Sequence, residues 1–255
     1  MQNFLPFIIT CGILLIIVAR AYIIRQDLKK RAASLQGIAD KLGIVYTEED
    51  PILTEQVKDL MEGKNSAKVF NSLQFEQDGH ELNIMDYSHI VKSGKSSTRV
   101  YYTAVAIPIK HDHIPLFYVQ PSKLTDRISH WFNWPEVEIF GNDQFNRKFG
   151  LKTKPEYVAE VQQYFDAHQQ LAGLCERYPT YRLATDGKWL VWYIPHNPIK
   201  ANIDELTAYL DQVKELLHAL ELNGGKSAAW GSYDDNQDSW GSDYDSHLKQ
   251  LKDDQ

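Results

Sequence analysis

Cysteine is almost absent from this chain, which has only two among its 255 residues. These are Cys11 and Cys175, and no Cys-x-x-Cys pair exists. The composition therefore excludes a disulfide framework, a zinc ribbon and a thioredoxin-like redox motif. So low a thiol content is typical of a protein that folds in a reducing compartment.

Common catalytic signatures are missing as well. The chain contains no Gly-x-Ser-x-Gly, His-Glu-x-x-His or Gly-x-Gly-x-x-Gly motif, which excludes the usual patterns of hydrolases, zinc peptidases and dinucleotide-binding enzymes. A basic surplus is also absent, because the formal net charge is −7. Such a chain offers no cationic surface to a phosphate backbone, so nucleic acid is not expected as a partner. We expect no resident cofactor or metal either.

What the sequence does contain is a long apolar run near its N-terminus. No charged residue occurs from Phe4 to Ala19, and after Arg20 the apolar run resumes as far as Ile24. As a helix the whole run would be about 31 Å long, which matches a hydrocarbon core of about 30 Å if Arg20 extends to the interface. We therefore predict a transmembrane helix over residues 1–24. The alternatives are a secretory signal peptide, although no Lys or Arg precedes the run, and a buried core helix, although such helices rarely stay uncharged over this length.

Cations follow this run closely. They are Arg20, Arg25, Lys29, Lys30 and Arg31, against the single acidic residue Asp27. We predict that these five cations lie at the membrane interface, where they fix topology during insertion; binding of anionic headgroups is the alternative. The positive-inside rule predicts a single-pass protein of the plasma (inner) membrane, with the N-terminus outside and the rest in the cytoplasm.

The remainder divides into three parts. Residues 25–42 read as a basic amphipathic linker helix, with an apolar stripe at Leu28, Leu35, Ile38 and Leu42 that packs on the domain or forms a dimer seam. Residues 43–222 are long enough for one domain. Residues 223–255 form an acidic tail containing Trp and Tyr, which we predict to be disordered because it cannot bury enough apolar area. From Ser227 this tail carries seven aspartates and two lysines, a net charge of −5.

Within 43–222 the hydrophobic period alternates between strand and helix. Turn signals at Asp78-Gly79 and at Ser93-Gly94-Lys95-Ser96 separate apolar runs, so residues 68–119 are predicted to form an antiparallel β-meander. Helical patterns follow, and one of them is predicted to start with a capping box at Thr153 and Glu156. A further hairpin with an Asp-Gly turn and a last helix capped at Asn202 complete the domain. The fold class is therefore α+β, an antiparallel sheet with packed helices.

Several of these features occur together in a known family. Asp86-Tyr87, the Ser93-Gly94-Lys95 turn, Pro115-Leu116-Phe117 and the run from Phe145 to Phe149 follow one another in an order that resembles a family of uncharacterised bacterial membrane-anchored proteins. The resemblance covers roughly residues 43–222 and implies an N-terminal span followed by a cytoplasmic-type body. Since that family has no assigned activity, the resemblance implies a layout and no chemistry, and the acidic tail departs from its pattern.

Three short motifs could carry chemistry. Ser93-Gly94-Lys95-Ser96 imitates the end of a P-loop, but His89 stands where the first Gly belongs and a strand follows, so we interpret it as a hairpin turn. His111-Asp112-His113 has a spacing that metal sites use, yet no third ligand is evident, and we interpret it as a solvated loop. Asp86, Tyr87 and His89 could perform acid–base work, but strand alternation places Asp86 on the opposite face from the other two.

Aromatic residues supply the remaining candidates. Trp131, Phe132 and Trp134 lie in a predicted loop, where they either pack in the core or contact a membrane or a protein. His168 falls on an apolar helix stripe and is interpreted as a partly buried histidine. In the tail, Asp234 to Asp245 imitates a calcium loop but has Ser239 where such loops need Gly.

Taken together, these patterns predict a membrane-tethered cytoplasmic binding or scaffold protein. Its partners would be the lipid bilayer and a protein bound through the acidic tail, because such arms often bind basic partners. The alternative is a membrane-bound enzyme with a non-standard site that acts on lipid or envelope precursors, in which Asp86, His89 and His111 or His113 would share a pocket.

Overall fold

The computed structural model describes residues 4–94, 96–110, 113–122, 134–195 and 198–220, without the side chains of residues 4–14, 17 and 93. Its α-helices are α1 (Phe4–Leu42), α2 (Pro51–Val57), α3 (Asp143–Lys148), α4 (Val158–Ala167), α5 (Gln169–Arg177) and α6 (Ile203–Ala219). Its strands are β1 (Val45–Glu49), β2 (Lys68–Gln77), β3 (His80–Ser93), β4 (Ser96–Pro108), β5 (Phe117–Pro121), β6 (Phe149–Lys152), β7 (Arg182–Thr185) and β8 (Trp189–Tyr193). The predicted α+β class is confirmed.

All eight described strands join one antiparallel sheet in the order β1-β2-β3-β4-β8-β7-β5-β6. Of the meander predicted over residues 68–119, β2, β3 and β4 are confirmed, and both of its predicted hairpin turns are present, with Asp78 and Gly79 at positive φ in the first. The prediction that the strand near residue 117 continues this meander is wrong. The β7–β8 hairpin is inserted beside β4 instead, and β5 lies between β7 and β6. β4 and β5 are not neighbours in the sheet, and alternation alone does not identify the partner of β5.

The two faces of the sheet have separate cores. On one face the C-terminal half of α1 packs together with α3, α4, α5 and α6 over strand residues such as Leu82, Ile84 and Val105. We call this the α1 face. On the other face, α2 and the segment after it cover Met85, Tyr87 and Tyr102, and we call this the α2 face. Side chains of β3 alternate between these two cores, as the pleat requires.

Helix α1 is continuous from the predicted span into the predicted linker. Leu35 and Ala39 are buried in the core of the domain and Ile38 packs against it. This part of the apolar stripe therefore packs on the domain. Gly43, at φ 66°, ends the helix, and Ile44 N donates to Ala39 O. Within the part of the chain whose residues are described, no helix has the length and hydropathy to cross a bilayer. Most of the predicted span, up to Leu14, lies outside the described side chains and stays a prediction.

The helices after β6 differ in detail from the sequence prediction. The capping box at Thr153 is wrong, because Thr153 Oγ1 donates to Leu116 O at 2.5 Å and the first turn, Pro155–Tyr157, is a 3₁₀ helix. His168 divides the predicted single helix into α4 and α5. The cap at Asn202 is confirmed, since its side chain accepts from Glu205 N at 2.9 Å. The acidic tail lies outside the described residues.

Candidate functional site

The described part of α1 before the domain exposes large apolar side chains. Their exposed fractions are 71% for Leu15, 62% for Ile16, 64% for Val18, 63% for Tyr22, 57% for Ile23 and 52% for Ile24. Because successive helix residues are rotated by roughly 100°, these side chains point in all directions around the axis. Exposed apolar patches of this kind mark contact sites for proteins or membranes. This segment is therefore the first candidate functional element.

Cations border this apolar segment. Arg20, Arg25, Lys29 and Lys30 are all exposed. Arg31 differs from them, because its guanidinium turns into the domain and lies against the α1 face of the sheet, where its side chain is 17% exposed. The five predicted interface cations therefore divide into four exposed residues and one that joins helix to sheet.

The partner of Arg31 is Asp86, in the middle of β3. Arg31 Nε donates to Asp86 Oδ2 and Nη2 donates to Oδ1, both at 2.7 Å. Nη2 also donates to Thr103 Oγ1 at 3.1 Å, and Nη1 donates to Ile199 O. Two parallel charge-assisted bonds hold a guanidinium in one orientation more strictly than a single contact would. The rotation of α1 about its axis is thus fixed relative to the sheet.

Asp86 is held in turn by its neighbours in the sheet. Asn71 Nδ2 donates to Asp86 Oδ2 at 2.8 Å and Thr103 Oγ1 to Oδ1 at 3.2 Å. Asn71 lies at an irregularity of β2 with a positive φ of 51°, which turns its amide towards the carboxylate. Tyr46 OH donates to Asn71 Oδ1 at 2.8 Å, and burial, with help from Glu48 and Asp86, raises the pKa of this phenol. Asp86 is 3% exposed and serves as the anchor of α1.

A second polar cluster is buried on the α2 face. Tyr87 OH donates to Glu62 O at 2.6 Å, and Tyr102 OH donates to Glu62 Oε2 at 3.3 Å. His89 Nε2 lies 3.3 Å from Tyr102 OH and 3.7 Å from Glu62 Oε2. Arg182 forms an ion pair with Glu62. Every member of this cluster is at most 9% exposed.

The backbone at Gly63 makes this second cluster possible. Gly63 has a φ of 72°, and a Cβ at this position would lie 2.3 Å from the ring of His89. Tyr87, Tyr102 and Tyr193 stack across three strands, with ring centroids 6.0 and 5.8 Å apart. Burial raises the pKa of all three phenols, so their hydroxyls remain protonated donors at neutral pH. The cluster connects the segment after α2 to the sheet.

The residues considered for acid–base catalysis do not lie together. Asp86 is bound on the α1 face, whereas Tyr87 and His89 lie on the α2 face. His113 is exposed and Nε2 lies 2.5 Å from Glu160 Oε1, while His111 lies outside the described residues. The described side chains contain no group of three or more potential metal ligands.

The remaining sequence candidates occupy ordinary positions. Trp134 is half-buried against the α2-face core, with Lys154 Nζ 6.0 Å from its ring centroid. Trp131 and Phe132 lie outside the described residues. His168 stacks on Tyr164 with ring centroids 4.2 Å apart and its Nδ1 is 2.8 Å from Tyr164 O. The Ser93-Gly94 turn joins β3 to β4, so a strand follows it and no P-loop exists there.

No family model matches the chain, and no curated protein matches it. A solved structure to which it is similar is that of the mycobacterial trehalose monomycolate transport factor A, TtfA. The similarity covers 74% of this chain and 95% of that chain, with 12% identity and a TM-score of 0.47. At that level the similarity carries no argument about fold or function.

Proposed function

We propose that this chain is a membrane-tethered binding or scaffold protein, with the apolar half of α1 inserted in a bilayer and the domain fixed below it. One observation carries the proposal: large apolar side chains surround α1 and are exposed, while the same helix continues into the domain. Leaving a side chain such as Ile or Leu in water costs about 1.5–3 kcal/mol relative to burial. Scaled by their exposed fractions of 52–71%, Leu15, Ile16, Val18, Ile23 and Ile24 together cost on the order of 5–9 kcal/mol. A bilayer removes this cost.

The geometry of the junction supports a fixed domain position. From Ile24, the last residue of the apolar run, to Arg31 the helix advances about 10 Å. Arg31 is bonded to Asp86 in the centre of the sheet, so the domain begins directly below the headgroups. We propose that the exposed cations Arg25, Lys29 and Lys30 occupy that headgroup layer, that the N-terminus is outside and that the domain is in the cytoplasm. A reporter fused after Gln255 and active only outside the cytoplasm would contradict this orientation.

Insertion can be tested on the full chain by extraction of membranes with alkaline carbonate. We expect the protein to stay with the membranes. Ile16→Asp together with Val18→Asp should release most of it, because each Asp at the centre of a spanning helix costs about 2.5–3.5 kcal/mol. The matched control places the same two charges at exposed Ser34 and Gln36, and that variant should stay with the membranes. Release of the unchanged protein would contradict the proposal.

The domain is proposed to act by binding. Both buried polar clusters connect secondary-structure elements to one another, and the residues of the catalytic alternative lie on opposite faces. The sequence supplies a further contact element in the acidic residues 223–255, which we propose bind a basic protein partner. A pull-down in mild detergent with and without residues 226–255 tests this role. If the same proteins are recovered with both forms, the tail is not the contact.

A further inference from the structure

We propose that the tip of the β3–β4 hairpin is a second membrane contact, which binds anionic phospholipid headgroups. We call this tip the ribbon, and define it as residues 90–94 and 96–99. The inference rests on the proposed tether, because it needs the apolar half of α1 to be in the bilayer. It adds that the domain is held to the membrane at two points and that lipid charge matters at the second.

The ribbon projects beyond its neighbours in the sheet. β2 pairs with β3 only as far as Ser88, and β8 pairs with β4 only from Ala104. Beyond those residues the two described strands pair with each other alone, from Ile90↔Arg99 to Ser93↔Ser96. One contact supports the base of the ribbon, because Ile90 N donates to Ser66 Oγ at 2.8 Å. The part beyond Ile90 is two-stranded, and such ribbons are marginally stable in water. An additional contact surface would stabilise this one.

Chain direction points the ribbon towards the membrane. The chain reverses at Gly43, so that β1 runs back along α1, and β3 is parallel to β1 because both are antiparallel to β2. Val45 near the end of α1 is level with Asn83, through their shared partner Gln74. The Arg31–Asp86 pair confirms the direction, since a later residue of β3 meets an earlier residue of α1. Continuing along β3 therefore approaches the apolar half of α1.

The length of the ribbon is sufficient to reach the headgroups. Ser93 is seven residues beyond Asp86, or about 23 Å along the strand. Arg25, in the proposed headgroup layer, is six residues before Arg31, or about 9 Å along α1. A strand segment of about 23 Å advances at least this far along the helix at any inclination up to about 65°.

The chemistry of the ribbon fits anionic headgroups. No acidic residue occurs between Asp86 and Asp112. Lys92 is exposed and, by alternation, lies on the α1 face with Ile90 and the paired Arg99. Arg99 Nη1 donates to Ser88 Oγ at 3.0 Å, which holds its guanidinium on that face. The exposed helix cations lie on the same side of the sheet, because Arg31 joins that side to α1.

The other end of β3, at its turn with β2, carries acidic residues where the ribbon carries cations. The turn that joins β2 to β3, at Asp78 and Gly79, is flanked by Glu76 and Glu81. Among the described residues, Glu81 forms an ion pair, with Lys110 Nζ 3.0 Å from its carboxylate. β3 thus begins among carboxylates and ends among cations. An anionic surface attracts the ribbon end and repels the turn end.

The experiment uses the full chain in vesicles, with Cys11→Ser and a fluorophore on Ser97→Cys. Cys175 stays in place because it is buried and burial raises the pKa of its thiol to about 12. Vesicles contain headgroup-quencher lipid in phosphatidylcholine, with or without phosphatidylglycerol. We expect quenching that increases with phosphatidylglycerol and falls at high salt. Lys92→Gln with Arg99→Gln should reduce the increase in quenching that phosphatidylglycerol causes by about twofold or more.

Two controls locate the effect. Lys110→Gln with Lys188→Gln removes the same charge at the other end of the sheet and should leave the quenching unchanged. A fluorophore on Glu76→Cys should be unquenched in both lipids. If the protein floats with vesicles but the Ser97 label is unquenched, or is quenched equally in both lipids, this inference is wrong and the tether stands. If the protein does not float, the proposed function itself fails.

Discussion

Asp86 offers the most informative substitution in the domain. Asp86→Ala removes a carboxylate that is 3% exposed and that accepts both parallel bonds from Arg31. The guanidinium then remains against the sheet without its counter-charge, because its side chain is only 17% exposed. Asn71 and Thr103 also lose their acceptor. Removing one partner of a buried ion pair typically costs about 3–5 kcal/mol.

The loss can be measured as the free energy of unfolding in urea, followed by tryptophan fluorescence on the full chain in detergent micelles. A loss of about 3–5 kcal/mol corresponds to a decrease in melting temperature of about 6–20 °C for a domain of this size. Glu76→Ala removes an exposed carboxylate and serves as the control, with an expected change within about 0.5 kcal/mol.

The paired variant Arg31→Met with Asp86→Leu distinguishes a buried charge from lost packing. Because neither charge remains, it should be more stable than Asp86→Ala alone. Two results would refute this account of the junction. One is a loss below about 1 kcal/mol for Asp86→Ala, which would place the pair among weak surface contacts. The other is a paired variant that is less stable than Asp86→Ala.

Two further predictions concern the α2 face. Gly63→Ala should destabilise the domain by more than about 2 kcal/mol, since it adds a collision with the His89 ring to a left-handed backbone that costs about 1–2 kcal/mol. Gly94→Ala, whose Cβ would meet nothing within 4 Å, should cost only the backbone part; equal losses in urea unfolding would contradict this reasoning. Stability should also fall at alkaline pH. Burial raises the pKa of Tyr87 and Tyr102 above the ordinary value of 10.0, so the unfolded chain loses protons first as pH rises past 10. The free energy of unfolding should fall by up to about 1.4 kcal/mol per pH unit for each phenol. Unfolding curves between pH 8 and 11 that show no decrease would contradict it.

The hairpins and the last helix could be predicted from local chemistry. Asp78-Gly79 has the positive φ that a tight turn needs, and Asn202 accepts the backbone bond of a helix cap. The place of β5 could not be predicted, because partner choice between strands depends on distant contacts that alternation does not encode. The capping box failed for a similar reason, since a tertiary acceptor, Leu116 O, competes for the Thr153 hydroxyl.

The two polar clusters show where prediction from sequence ends. Asp86 and Arg182 stand out as charges inside apolar strands, and charges at such positions are buried only with partners. That signal was available. The identity of the partners could not be predicted, because Arg31 is 55 residues from Asp86 and Glu62 is 120 residues from Arg182. The sequence places Arg31 at the interface with its four neighbours, because charge alone does not distinguish a lipid headgroup from a carboxylate as its partner.

The central claim is that the apolar half of α1 is surrounded by lipid. Spin labels on the full chain in vesicles, at Ile16→Cys and Lys29→Cys with Cys11→Ser, test it most directly through collision with oxygen and with a water-soluble nickel complex. Oxygen concentrates in hydrocarbon, so the account predicts high oxygen and low nickel accessibility at position 16 and the reverse at position 29. Nickel accessibility at position 16 equal to that at position 29 would contradict it.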